Sequence, residues 1–482
     1  MSLIRIKNYI AGTLVDPVSG NWIPNAEPAT GQVYSEVPDS GSQDVANAVD
    51  AAAVALETWS RAPVDERIAV LHRLADLIDQ NREELVALES QDNGKPESLA
   101  RMIDIPRCSK NIRFFANLAM GAASESHAMP DAINYTLRQP VGIVTCISPW
   151  NLPLYLFTWK IAPALATGNC VIGKPSEVTP MSAYRFSELC IEAGMPDGVM
   201  NIVHGSGNVT GNALLEEPRI SAVSFTGSTA TGQHIARVVS PQFKKLSLEL
   251  GGKNPNLVFA DCHYESMLET TLKSSFANQG QICLCGSRIL VERSIYQRFR
   301  DDLVERAKQI KVGDPREPDS ILGAMVSQAH YQKVLDCIER ARSEGGKVLC
   351  GGSPAKVGGR CQEGWFIEPT VIEGLPNDCQ TNQREIFGPV VTLQPFDSDH
   401  EALELANATR YGLSATVWTQ DVSRANWMAD RLQCGVVWVN CWLIRDLRTP
   451  FGGYKQSGVG REGGLEAMRF FTETKNVCIK YL

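Results

Sequence analysis

Apolar positions early in the chain recur with helical spacing. Between residues 42 and 90, Ala46, Val49, Ala53 and Leu56 share one face of a predicted helix, and Ile68, Leu71, Leu74 and Ile78 share one face of a second, with Pro63 between them. From 141 onward the pattern shortens to β-branched runs: VGIVTCI from Val141, CVIG from Cys170, VMNIV from Val199, SAVSFT from Ser221 and KLSLEL from Lys245. Strands recurring every 20 to 30 residues with helices between them make βαβ units, whose parallel sheet is covered on both faces. The pattern predicts a doubly wound, dinucleotide-type domain. A second alternation starts near Asn256 (NLVFA), continues through a helix around 265–278, a strand from Ser287 to Val291 and a helix over 295–310, and runs to about residue 450. It predicts a second α/β domain with the junction just after Glu249, and such junctions are where small ligands bind.

Composition narrows the function. The chain has 482 residues, 44% of them hydrophobic and 21% charged, which suits two or three globular domains. A formal net charge of −8 argues against a general binder of nucleic acid or anionic membrane, since both need a basic footprint. An anionic substrate would have to be met by a few local arginines. The N-terminal MSLIRIKNYIAG lacks the apolar run of a secretory signal, and no apolar stretch of spanning length appears, so a cytoplasmic protein is expected. Fourteen cysteines, scattered from Cys108 to Cys478 without paired spacing, are expected to be reduced and mostly buried. With no HExxH, no paired CxxC and no histidines at ligand spacing, no metal site is expected.

Four segments carry candidate chemistry. FANQGQICLCGSR places Cys283 at the end of a predicted helix among small and polar residues, where a thiolate would be a strong nucleophile if its surroundings lower its pKa. The plain alternative is a buried small hydrophobe, and Cys285 competes for the role. SLELGGKN (247–254) puts Glu249 in a strand running into a Gly-Gly turn, where a carboxylate is either a salt-bridged structural group or a functional one. ISPWNLP (147–153) follows the first strand of the sheet to Asn151, at the edge where doubly wound folds bind ligands. EIFGP (385–389) sets a carboxylate and an aromatic ring beside a rigid turn.

In these segments, and from EPATGQV near the N-terminus to PFGGYKQSGVGRE (450–462), the chain resembles the aldehyde dehydrogenase superfamily over essentially its whole length. The resemblance implies a Rossmann-type doubly wound NAD-binding domain at 1–120 and 140–250, an α/β catalytic domain at 251–450, and a small β extension at 121–139 and 463–482 through which family members form homo-oligomers. It implies that Cys283 attacks the aldehyde carbon, that the Asn151 amide and the Cys283 backbone N–H hold the oxyanion, and that Glu249 activates the water that hydrolyses the thioester.

No GxGxxG lies in the predicted dinucleotide-type domain between 141 and 250. In this superfamily the nucleotide lies instead against segments matching GKPSE (173–177), HGSGNVTG (204–211) and FTGS (225–228). By that match Lys174, Ser176 and Glu177 take the adenosine ribose, and a carboxylate at 177 disfavours a 2′-phosphate, which selects NAD over NADP. Gly207, Gly211, Phe225, Thr226, Gly227 and Ser228 line the adenine and pyrophosphate path. Ile147, Ser148, Pro149 and Trp150, with Leu250, Gly251, Glu385 and Phe387, surround the rest of the cofactor. Each glycine taken singly is only a tight turn.

Two arginine-bearing segments point to the substrate: LARMIDIPR (99–107) with Arg101 and Arg107, and NCWLIRDLRTPFGG (440–453) with Arg445 and Arg448. Guanidinium groups facing a cleft suit a substrate carboxylate, and surface salt bridges are the alternative for each. ARMIDIPR, SPWNLPLYLFTWKIAPALATGN, SSFANQGQICLC and VNCWLIRDL resemble the branch that oxidises aminomuconic and hydroxymuconic semialdehydes, and the flanks Ile282, Leu284 and Cys441 resemble its aminomuconic members. That resemblance implies Arg101 and Arg445 as the carboxylate-binding pair. A non-catalytic protein on the same fold would be expected to lack Cys283, Glu249 or Asn151, a papain-like hydrolase would want a histidine partner for the thiol, and a CoA-acylating relative need not keep Glu249.

Overall fold

A computed structural model describes residues 3–121 and 123–482. Met1 and Ser2, in the segment read for a leader, and Ala122, within the 121–139 extension, lie outside the described residues. The two helices expected between 42 and 90 are Ser42–Trp59 and Val64–Gln80, followed by a third, Arg82–Asn93. The second buries Ile68, Leu71, Leu74 and Ile78 as expected. The first is rotated from the expected face: Val45, Ala48, Val49 and Ala52 are buried, while Ala46, Ala53 and Leu56 are half-buried. An alanine-rich helix offers several faces of similar hydrophobicity, so packing against the sheet, not pattern, selects one.

The five β-branched runs form the parallel strands Ile143–Ile147, Cys170–Lys174, Met200–Ile202, Ile220–Thr226 and Lys245–Glu249. In space the fifth lies beside the fourth, the fourth beside the first, and the first beside the second and then the third. Strand order therefore reverses between Ile143–Ile147 and Ile220–Thr226, and the crevice beyond their carboxyl ends is the ligand position of doubly wound sheets. The hairpin Asn8–Ile10 and Thr13–Val15 extends one edge, and Gly458–Val459 joins the other, antiparallel to Leu248 and Glu249.

A second, seven-stranded sheet is built from Pro255–Val258, Arg288–Glu292, Lys347–Cys350, Thr370–Glu373, Val390–Phe396, Ser414–Trp418 and Val436–Val439. All its pairings are parallel except Lys347–Cys350 with Thr370–Glu373. Away from both sheets, Ala132–Pro140 pairs antiparallel with Thr472–Lys480 from end to end, with Ser126–Ala128 alongside. All fourteen cysteines are free, and Cys478 alone is exposed. No helix of the described residues is long and apolar enough to cross a membrane, and no cluster of three or more metal-binding side chains occurs among them.

Candidate active site

Two cavities meet at one thiol. A cavity of about 280 Å³ is walled by Leu152, Tyr155, Trp159, Leu443 and Phe451 and reaches Cys283 and Glu249. A second, of about 200 Å³, runs from Cys283 past Asn151, Gly227 and Gly251 to Glu385 and Phe387. Cys283, Thr226 and Leu250 line both. The first ends in apolar walls and suits an organic substrate; the second borders the switch point of the first sheet.

Cys283 lies beyond the helix Tyr264–Phe276, not at its end. A short turn, Ala277–Gly280, intervenes, with Asn278 and Gln279 in left-handed backbone at φ 51° and 55°. Such conformations cost energy in residues other than glycine and persist where surrounding structure enforces them. Here the enforcing contacts are visible. The Gln279 amide donates to Ala324 O at 2.9 Å, and the Asn254 amide donates to the carbonyls of both Cys283 (2.7 Å) and Cys285 (2.9 Å). Burial pushes the Cys283 thiol above its ordinary pKa, with Glu385 and Glu249 pushing the same way and Arg445 opposing them. The resting group is therefore a thiol that needs a base.

Glu249 is the last residue of its strand, and neither of its buried carboxylate oxygens has a hydrogen-bond partner in the protein. Burial raises its pKa well above the ordinary carboxylate range; Glu462 adds to the rise, and Lys160, Arg445 and Arg461 oppose it. A carboxyl held in this state binds a proton more tightly than an exposed one, as a group that takes a proton from water must. A Cβ at Gly452 would come within 2.9 Å of Glu249 Oε1, so only glycine leaves that carboxyl room to turn. Lys160 and Glu462, which no sequence motif singled out for a role, form an ion pair at 2.6 Å with Ser224 donating to Glu462. The signal was a lone lysine within the apolar helix Pro153–Ala166.

Asn151 follows the strand Ile143–Ile147 by four residues, just before that helix, and is buried. Its side-chain amide donates to Gln281 O at 2.9 Å, two residues before Cys283, which leaves its second amide hydrogen for another acceptor.

The residues read for a nucleotide gather along the carboxyl ends of the first sheet. Lys174 ends the second strand, and its ammonium lies 3.4 Å from the Glu177 carboxylate, with Ser176 between them in sequence. Burial alone would raise the Glu177 pKa, but Lys174 and the backbone N–H groups of Glu177 and Gly207 outweigh it and hold the group ionised. Gly207 and Gly211 bound one turn, and Ser228 caps the helix Thr229–Val239 by accepting from Thr231 N at 3.1 Å. Ile147 and Phe225 are buried at the ends of neighbouring strands, and the buried hydroxyls of Ser148 and Thr226 have no protein partner. A Cβ at Gly251 would lie 2.1 Å from Glu385 Oε2, so the carboxylate reaches its bond with Gly252 N (3.0 Å) only past a glycine. Trp150 packs against Phe387 and His330, whose Nε2 contacts Phe387 O at 2.7 Å, while Pro149 and Lys333 complete that wall. His330 and Lys333 were not read from the sequence. Unpartnered hydroxyls, backbone held open by glycine and a capped helix start fit the phosphates and sugars of a dinucleotide.

The arginines divide differently from expectation. Arg101 is exposed and bonded to Glu83 and Glu97, so it does not belong with Arg445 in the cavity wall. Arg107 does. Its guanidinium stacks on Tyr155 and Trp159 and has a buried Nη2 without a partner. Arg445 sits over the Phe451 ring at 4.0 Å, its one side-chain bond being a long 3.5 Å contact with the Tyr155 hydroxyl. Arg448 is exposed and paired with Asp446. The different placement of the two arginines has a local cause. Residues 101 and 107 are six apart, so they point to different sides of a helix, and the π-helical turn Ala100–Asp104 inserts a residue that resets which side faces the cavity.

Comparison with known proteins accords with this geometry. The aldehyde dehydrogenase family profile matches residues 14–477. The chain belongs to the aldehyde dehydrogenase family. It is 48% identical to the 2-aminomuconic semialdehyde dehydrogenase of Mus musculus, covering 99% of each chain. It is 45% identical to the 2-hydroxymuconic semialdehyde dehydrogenase of Pseudomonas sp. (strain CF600), again over 99% of each. Among solved structures, the NAD+ complex of an aldehyde dehydrogenase from Bacillus cereus superposes with a TM-score of 0.96 at 39% identity, covering 99% of this chain and 96% of that one. NAD(H) use is thus a property of this aldehyde dehydrogenase's structural neighbours.

Proposed function

We propose that this aldehyde dehydrogenase oxidises 2-aminomuconate 6-semialdehyde to 2-aminomuconate, with NAD as the oxidant. The observation that carries the reading is the pair Arg107 and Arg445, two guanidinium groups without carboxylate partners in the wall of the cavity that ends at Cys283. Burying an unpaired cation is costly, and a substrate carboxylate would offset that cost while orienting the aldehyde toward the thiol. The names of the relatives agree with such a substrate.

In this reading Cys283 loses its proton to a base and adds to the aldehyde carbon, giving a thiohemiacetal whose oxyanion is held by the Asn151 amide and the Cys283 N–H. NAD, when bound along Glu177, Glu385 and Phe387, would supply the hydride acceptor that oxidation of the adduct to a thioester requires. Glu249 then removes a proton from water, which attacks the thioester carbonyl, releasing the carboxylic acid and returning the thiol. Glu177 would bond the ribose hydroxyls and repel a 2′-phosphate, which favours NAD. Glu385 and Phe387 would steady the nicotinamide riboside, and Arg107, in place of Arg101, would share the carboxylate with Arg445.

Hydroxymuconic semialdehyde is the second reading, since an amino and a hydroxyl group differ little in size and a relative of that name is 45% identical. Formation of NADH, followed side by side with aminomuconic, hydroxymuconic and simple aliphatic aldehydes, tests both. Equal kcat/KM for the anionic and the aliphatic aldehydes would overturn the carboxylate reading. The exposed strand Thr472–Lys480 at the rim of its sheet supports a homo-oligomer, and fourteen free thiols suit a reducing, cytoplasmic compartment.

A further inference from the structure

Side chains of the segment 89–95, which line neither cavity, bond the main chain around Asn151. Helix Arg82–Asn93 ends at Gly94, whose φ of 81° turns the chain back so that Lys95 faces the interior. A Cβ at 94 would also come within 2.7 Å of Ala324 O. Three side chains of this segment then grip the turn between the strand Ile143–Ile147 and the helix Pro153–Ala166. Glu89 accepts from Leu154 N at 3.3 Å. Asn93 donates to Trp150 O at 2.9 Å and to Asn151 O at 3.4 Å. Lys95 donates to Asn151 O at 3.0 Å and to the Asp104 carboxylate. Asn278 donates to the same carbonyl at 2.9 Å from the segment leading to Cys283.

Lys95 is fully buried, and Ser90 fixes its backbone by donating to Lys95 O at 2.6 Å. A buried ion pair is a poor stabiliser, because desolvation consumes most of the attraction and apolar residues of the same volume serve as well or better. What it provides is a charged donor in a fixed place. Lys95 is the one cation among the three side chains that bond the Asn151 carbonyl. We propose that Lys95 is a positioning residue for the acyl-transfer steps: its ammonium, neutralised by Asp104, holds the Asn151 main chain so that the side-chain amide stays aimed at the oxyanion on the carbon bonded to Cys283.

The proposal rests on Asn151 acting as the oxyanion donor, and a double-mutant cycle separates the two ideas. Lys95→Met is compared with Lys95→Met/Asp104→Asn, which removes both charges of the pair and leaves no unpaired carboxylate at 104 should the single variant fail to fold. Folding is monitored by thermal unfolding, and Cys283 alkylation by iodoacetamide reports a thiol reaction that needs no oxyanion donor. In the folded variant kcat is expected to fall about tenfold or more with KM within about threefold, the mark of an interaction made in the transition state. Alkylation is expected to be unchanged. On an Asn151→Ala background the same substitution should change kcat by less than about threefold. Losses that multiply on that background, or full kcat in the folded double variant, would overturn the positioning role alone. Wild-type kcat in Asn151→Ala would overturn the oxyanion assignment and this inference together.

Discussion

The Lys160 ammonium sits 2.6 Å from the Glu462 carboxylate, and both belong to the charge set that fixes the proton affinity of Glu249. Glu462 raises the Glu249 pKa and Lys160 lowers it. Water activation needs Glu249 ionised, so the deacylation rate rises as pH climbs through the raised pKa and is lost below it. Glu462→Gln removes a like charge and leaves the cation, so the acid limb of the kcat profile should move to lower pH. Lys160→Met should move it to higher pH. Shifts in the same direction would separate this pair from the base.

Replacing the base itself should split the reaction in two. Glu249→Ala is expected to lower steady-state turnover roughly 10²- to 10⁴-fold while a thioester accumulates on Cys283, visible by rapid mixing and intact-protein mass spectrometry. Cys283→Ser should show no hydride transfer. A Glu249 variant that turns over slowly without any accumulated adduct would assign the base elsewhere.

The two cavity arginines make a prediction about charge. Arg445→Ala and Arg107→Ala should each raise KM for an anionic semialdehyde about tenfold or more, the value of one charge-assisted hydrogen bond, and leave a neutral aldehyde little changed. Arg101→Ala, which loses only exposed contacts with Glu83 and Glu97, should stay within about twofold for both.

The proposed preference for NAD makes a prediction at one position. Glu177→Gln removes the charge that would repel a 2′-phosphate, and it should raise kcat/KM for NADP relative to NAD. An unchanged ratio would place the selection outside the Lys174–Glu177 pair.

The parallel sheets were legible because a strand buried on both faces must be a short β-branched run, and each of the five runs became one. Cys283, Glu249 and Asn151, which the fold brings to the two cavities, stood out because each sits where a local pattern breaks: a thiol among small residues, a carboxylate at a strand end, an amide past a strand end. Arg107 was not, since one inserted residue in the turn Ala100–Asp104 decides which arginine faces inward, and residue types do not announce a π-turn. The first helix was placed correctly but rotated, because Ala46 and Ala48 are equally apolar. Lys95 escaped notice for a different reason: its partners Asp104 and Asn151 are brought together only by tertiary structure.

The return of the chain after the second sheet bears on how the enzyme is made. Gly458–Val459 closes an edge of the first sheet beside Glu249, and the same stretch supplies Phe451, Gly452 and Glu462 to the reactive centre. During synthesis the first sheet can form early and the second after it, yet the cavity has no far wall until residues 450–462 leave the ribosome. The substrate cavity is thus closed by one of the last segments of the chain to be made. A polypeptide that ends before that point would carry Cys283 and Glu249 without Phe451 and Glu462, its substrate cavity open on that side.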